Sequence, residues 1–199
     1  MKAALDETSP EDSGGVFYVV GSTVLIADEI TAAKALAAVI DQPGRKRPFH
    51  WHTEGSETRA RMVECLAELG AVAHVCVHYP TGRRRVVKAR ERALAEVIPH
   101  LLDDGATELM IESRGTREDA RDRATILDSL RDLGAPGALG YSWHPKTEPL
   151  LWLADAVCGA VREYLLQTAE MTYFEQLQAN GTLGELIYIG PDEPTPKHA

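Results

Sequence analysis

Residues 16–27, "VFYVVGSTVLIA", are largely β-branched, aromatic or aliphatic at consecutive positions rather than alternate ones. A strand of this composition is covered on both faces, so it belongs near the centre of a sheet with helices on either side. A chain of 199 residues is long enough to build such layers around one core. Ahead of the strand lies Lys2–Leu5, a short apolar segment ended by Asp6, Glu7 and the turn-rich "TSPEDSGG". That order predicts an antiparallel hairpin.

The remaining elements follow from periodicity and punctuation. "DEITAAKALAAVIDQ" is acidic at its start and predicts a helix with an apolar stripe at Ile30, Ala33, Ala37 and Ile40. "PGRKRP" breaks it, and "FHWHTEG" is expected to be extended. Ser56 is placed to cap "SETRARMVECLAELG", whose stripe is Met62, Leu66 and Leu69 and whose end is Gly70. "AVAHVCVHYP" alternates as a strand does. A helix over "GRRRVVKARERALAEVIPHLLDDG", a strand "ATELMIESR" ending at Glu112, an exposed amphipathic helix over "TREDARDRATILDSLRDLG" and a short strand in "GALGYSWHP" complete the series before a final apolar helix. Setting aside a helical insertion at about 28–70, the order is β-β-β-α-β-α-β-α. This is the order of the ribonuclease H-like fold: an α/β architecture with a mixed five-stranded sheet flanked by helices. We take residues 1–167 as that domain. Residues 168–199 are expected to be a partly flexible appendage, whose apolar "ELIYIG" is suited to adding a strand to a partner subunit.

Composition narrows the setting. No apolar run reaches the length of a membrane span, and the N-terminal residues do not form a basic segment followed by an apolar one, so a cytoplasmic protein without membrane contact is expected. Cys65, Cys76 and Cys158 lie within apolar segments without CxxC spacing and are expected to be buried thiols. A net charge of −9 argues against a generally polyanion-binding surface, so a nucleic-acid partner needs a local basic patch.

The final helix, "PLLWLADAVCGAVREYLL", is apolar almost all the way round yet carries Asp155 at its centre. A buried carboxylate needs an ion, an arginine or a proton. In the proposed order Asp6 and Glu7 end the first strand and Glu112 ends the fourth. If those strands are parallel neighbours, their carboxylates open on one edge and the last helix can bring Asp155 to it. Like charges so gathered repel, and a divalent cation relieves the repulsion. All-oxygen ligands suit Mg²⁺ or Mn²⁺, and a pair of such ions supports phosphodiester hydrolysis. Each acidic residue also has a plain structural explanation: a turn for Asp6 and Glu7, helix capping or pairing with Arg114 for Glu112, and an arginine partner for Asp155.

Two motifs carry a family resemblance. "ALDET" followed by "VFYVVGSTVLI" resembles the "IDESG … YFVVGGVLV" opening of domain-of-unknown-function family 3800. "LLWLADAVCGAVREYL" resembles that family's closing "LQLADLVAGAVRR", and "LMIESR" stands where the family has a strand ending in an acidic residue. The resemblance spans about residues 2–166. It implies a ribonuclease H-like, metal-dependent nuclease with Asp6, Glu7, Glu112 and Asp155 as the metal-binding set. The chain departs from the pattern at Thr8 in place of serine, at Trp152 in place of glutamine, and at Glu112 where aspartate is common.

Two further groups are candidates. His50, His52 and Glu54 alternate, and on a strand they would share one face. His52 and Glu54 are candidates for moving protons beside the carboxylates, against the plainer account of surface histidines on a loop. Arg83, Arg84, Arg85 and Lys88 crowd a helix start, where the dipole disfavours cations. They are candidates for holding a phosphate backbone of DNA or RNA, unless nearby acids pair with them. The expected function is Mg²⁺- or Mn²⁺-dependent phosphodiester hydrolysis. The alternative is a catalytically inactive binding or assembly module of the same fold, and self-association is left open.

Overall fold

The computed structural model describes residues 1–8, 17–40, 48–79, 86–168 and 171–190. Six strands form one mixed sheet: β1 (Lys2–Thr8), β2 (Tyr18–Leu25), β3 (Val72–His78), β4 (Glu108–Glu112), β5 (Gly140–His144) and β6 (Ile187–Ile189). Their order across the sheet is β5-β4-β1-β2-β3-β6. The first three strands run antiparallel in sequence, while β4 is parallel to β1 and β5 to β4. All eight residues of β2 are buried, Ser22 and Thr23 included, as expected of a central strand covered on both faces.

The helices are α1 (Glu29–Ile40), α2 (Ser56–Glu68), α3 (Val86–Asp103), α4 (Thr116–Asp132), α5 (Leu151–Leu165) and α6 (Thr172–Ala179). They divide between the two faces of the sheet. Ala4, Val19, Val75, Val77 and Met110 face a core shared with α1, α2, α5 and α6. Ala3, Leu5, Val20, Cys76, Leu109 and Ile111 face the other core, shared with α3 and α4. The helical insertion between β2 and β3 thus lies on the same side as α5. All three cysteines are buried as free thiols. Among the described residues no helix is long and apolar enough to cross a membrane.

Several local expectations are corrected. The buried stripe of α1 is Ala32, Leu36 and Val39, and Ile30 is 69% exposed. Asp28 sets the start of that helix: its carboxylate accepts the N–H groups of Ile30 and Thr31, both at 3.0 Å. Ser56 is the first residue of α2 rather than its cap, a place taken by Gly55. The sheet has six strands, not five, because "IYI" of the C-terminal segment pairs parallel with β3, Cys76 opposite Ile187. The segment after residue 167 therefore joins its own sheet rather than waiting for a partner's. It also adds Tyr173, Phe174 and Leu177 of α6 to the core.

Candidate active site

Alternation along β1 fixes which carboxylates can meet. Ala4 faces the α5 core and Leu5 the α3 core, so Asp6 projects toward α5 and Glu7 away from it. On β4, Met110 shares the α5 side, so Glu112 does too. The parallel register of β1 and β4 runs from Lys2 opposite Glu108 to Leu5 opposite Ile111, and its continuation brings Glu112 beside Asp6. Asp155 lies in α5, which packs across β1 and β2; Cys158, one turn later, donates its thiol to the Asp6 carbonyl at 3.4 Å. Three of the four acidic candidates therefore converge.

Asp6 is the least favourably placed of them. It is 7% exposed, and its carboxylate has no hydrogen bond or ion pair among the described residues. Burial, then the charges of Asp155 and Glu112, push its pKa well above the usual carboxylate range. Lys146 and Arg90 oppose that shift less strongly. Asp155 is better supported. Its Oδ2 accepts the backbone N–H of Trp51 at 2.8 Å and lies 3.3 Å from Nδ1 of His50. Glu112 has the Lys146 ammonium 3.8 Å from its Oε2.

Glu7 is separated from this group. It sits on the α3 side, ion-paired with Arg90 and Arg114. Arg90 is itself buried and grips Asp122 of α4 with two bonds, Nε to Oδ1 at 2.9 Å and Nη2 to Oδ2 at 2.7 Å. Glu7 thus belongs to a buried ion-pair network that ties β1 to α3 and α4, and not among the ligands of an ion shared by Asp6, Glu112 and Asp155. Arg90, two residues beyond Lys88 on α3, is likewise committed to that network.

The segment "FHWHTEG" forms a 3-10 turn over Trp51–Thr53 instead of an extended strand. His50, His52 and Glu54 consequently do not line one face. His50 turns to Asp155, and His52 meets the His50 ring edge-on at 5.6 Å. Glu54 is buried and accepts the His50 N–H at 3.4 Å. Partial burial and the positive charge of Arg162 lower the His52 pKa below its ordinary value, which favours the neutral imidazole. Trp51 fixes this turn. Its ring lies against Gly159, where an added Cβ would come within 2.2 Å of the indole Cγ. Its Nε1 donates to Glu163 at 2.8 Å, the same oxygen that Arg59 Nη1 reaches at 3.0 Å. Arg59 Nε also donates to the Trp51 carbonyl at 3.0 Å.

Sequence alone undervalued His50, and it did not reach Lys146 or the Trp51 anchor. Alternation on β1 was an available signal for separating Asp6 from Glu7. Of the proposed phosphate-binding cations, Arg83, Arg84 and Arg85 fall outside the described residues, and Lys88 is exposed near the start of α3. That end of α3 is level with the C-terminal ends of β1 and β4, since Arg90 reaches Glu7 there, but it is behind the sheet from Asp6.

The donor set can be tested against the divalent ion that the sequence implies. Among the described residues, no three His, Cys, Asp or Glu side chains are gathered closely enough to hold an ion as they stand. The chemistry nevertheless fits: a buried, unpaired carboxylate faces two others, and all supply hard oxygen.

No family model matches the chain. No curated protein matches it either. Among solved structures, it is similar to a chain of the PCNA:RNase HII complex from Archaeoglobus fulgidus, with a TM-score of 0.48 and 18% identity, over 91% of this chain and 77% of that one. At this score the likeness says nothing about chemistry.

Proposed function

We propose that this protein is a divalent-metal-dependent nuclease of ribonuclease H-like architecture, with Asp6, Glu112 and Asp155 holding Mg²⁺ or Mn²⁺. The observation that carries the reading is Asp6. An unpaired carboxylate buried against two others has an electrostatic cost that a bound cation offsets. When bound, such an ion activates a water and stabilises the leaving oxygen of a phosphodiester.

The chain's own residues supply the rest. The Trp51 N–H and the His50 ring orient Asp155, so its free oxygen is directed by the insertion. His52, whose neutral form is favoured, is the proposed proton acceptor near Asp155. Arg83, Arg84, Arg85 and Lys88 are the proposed contacts to the phosphate backbone.

The test is cleavage of labelled DNA and RNA oligonucleotides with Mn²⁺. The wild-type protein is expected to cut at least one of them, and Asp6→Asn and Asp155→Asn to lose metal-dependent cleavage. Undiminished cleavage by Asp155→Asn refutes the site. Absence of cleavage together with absence of Mn²⁺ binding favours the inactive binding module.

A further inference from the structure

Lys146 stands in an unusual relation to the three carboxylates. Its ammonium is 3.8 Å from Glu112 Oε2, beyond hydrogen-bond distance but within strong Coulombic reach. The Lys146 side chain is 42% exposed, on a flexible four-carbon stem. Its backbone, by contrast, is fixed. Trp152 Nε1 donates to the Lys146 carbonyl at 3.0 Å, and the Glu148 N–H returns to the Pro145 carbonyl at 2.9 Å. Trp152 and Asp155 belong to the same helix, so a rigid turn delivers a mobile cation to the mouth of the carboxylate group.

We propose that the Lys146 ammonium is the resident counter-ion of this site and that a divalent cation enters by exchange with it. This rests on the reading of Asp6, Glu112 and Asp155 as ion ligands. A divalent ion held by Glu112 would stand against its carboxylate, close to the Lys146 ammonium. An ammonium a few ångströms away then repels it strongly, and the exposed stem lets the lysine swing outward. The device keeps three carboxylates tolerable without metal and lowers the affinity for metal in return.

The experiment is direct titration of the full-length protein with Mn²⁺, following free Mn²⁺ by electron paramagnetic resonance at low ionic strength. Lys146→Met keeps the stem and removes the charge. It is expected to bind Mn²⁺ at least about fivefold more tightly than wild type, whereas Lys146→Arg stays within about twofold of it. Thermal melts of both variants check that the fold is kept. Lys146→Met binding no more tightly than wild type, while wild type binds, overturns the exchange and leaves the metal reading standing. Failure of wild type and Lys146→Met alike to bind Mn²⁺ overturns both. Because the readout is metal affinity, a purely structural lysine would not produce the expected gain.

Discussion

Trp51 occupies a notch that Gly159 leaves in α5, and from there its backbone N–H holds Asp155, one turn back along the same helix. The insertion between β2 and β3 is therefore bolted to the helix that carries the acidic group. Gly159→Ala should destabilise the protein by about 3 kcal/mol, the upper range for overpacking a filled core, because neither the indole nor the helix backbone can yield cheaply. Denaturant unfolding measures this. Loss of His50 and Trp51 contacts to Asp155 should accompany it, visible as weaker Mn²⁺ binding.

Asp6 has a folded-state pKa above its unfolded value of about 3.9. For such a group the stabilising contribution is fully present below the unfolded pKa and is lost as pH rises through the folded one. Without metal, Asp6→Asn should therefore melt several degrees higher than wild type at pH 7.5. The gap should close as pH falls into the window where wild-type Asp6 takes up its proton. A variant less stable than wild type at neutral pH contradicts the burial penalty assigned to Asp6.

Arg90 pairs with two carboxylates, the half-buried Glu7 and the buried Asp122. Arg90→Met should cost about 3–5 kcal/mol, since the buried Asp122 is left without its partner while Glu7 keeps only Arg114. Glu7→Gln should leave Mn²⁺ affinity within about twofold of wild type, as the residue faces the opposite side of the sheet from Asp6. Calorimetric melts and the Mn²⁺ titration separate these effects.

Asp155→Asn keeps an oxygen that can accept the Trp51 N–H, so its metal-free melting temperature should stay close to wild type. The rise in melting temperature that millimolar Mn²⁺ gives the wild-type protein should disappear in this variant. A shift of wild-type size means the ion is held elsewhere.

The strand order was legible because burial leaves a periodicity in the sequence. β2 is almost wholly apolar, and the three strands that follow the insertion alternate with helices in the expected sense. Glu112 at a strand end and Asp155 in an apolar helix were visible for the same reason. Glu7 was misplaced because adjacency in sequence was taken as adjacency in space, whereas a strand sends neighbours to opposite faces. The stripe of α1 was misjudged by one position: its alanines satisfy either register, and only the packed partner decides between them. Nothing local announces that "HWH" makes a 3-10 turn, since the cause is Trp51 docking on Gly159, over a hundred residues away. Lys146 was invisible for a similar reason. Its meaning comes from β5 lying next to β4, Glu112 opposite His144.

The pairing of β6 with β3 bears on how the chain is handled. Leu183 already bridges to Ala73, and Ile187–Ile189 run along Cys76–His78, so the last turns of chain act as a hem on the sheet's border. Trimming the protein after the final long helix would bare the donors and acceptors of β3 at Ala73 and along Cys76–His78 and invite copies to zip together there. A shortened version meant for crystals or assays should keep residues through 190.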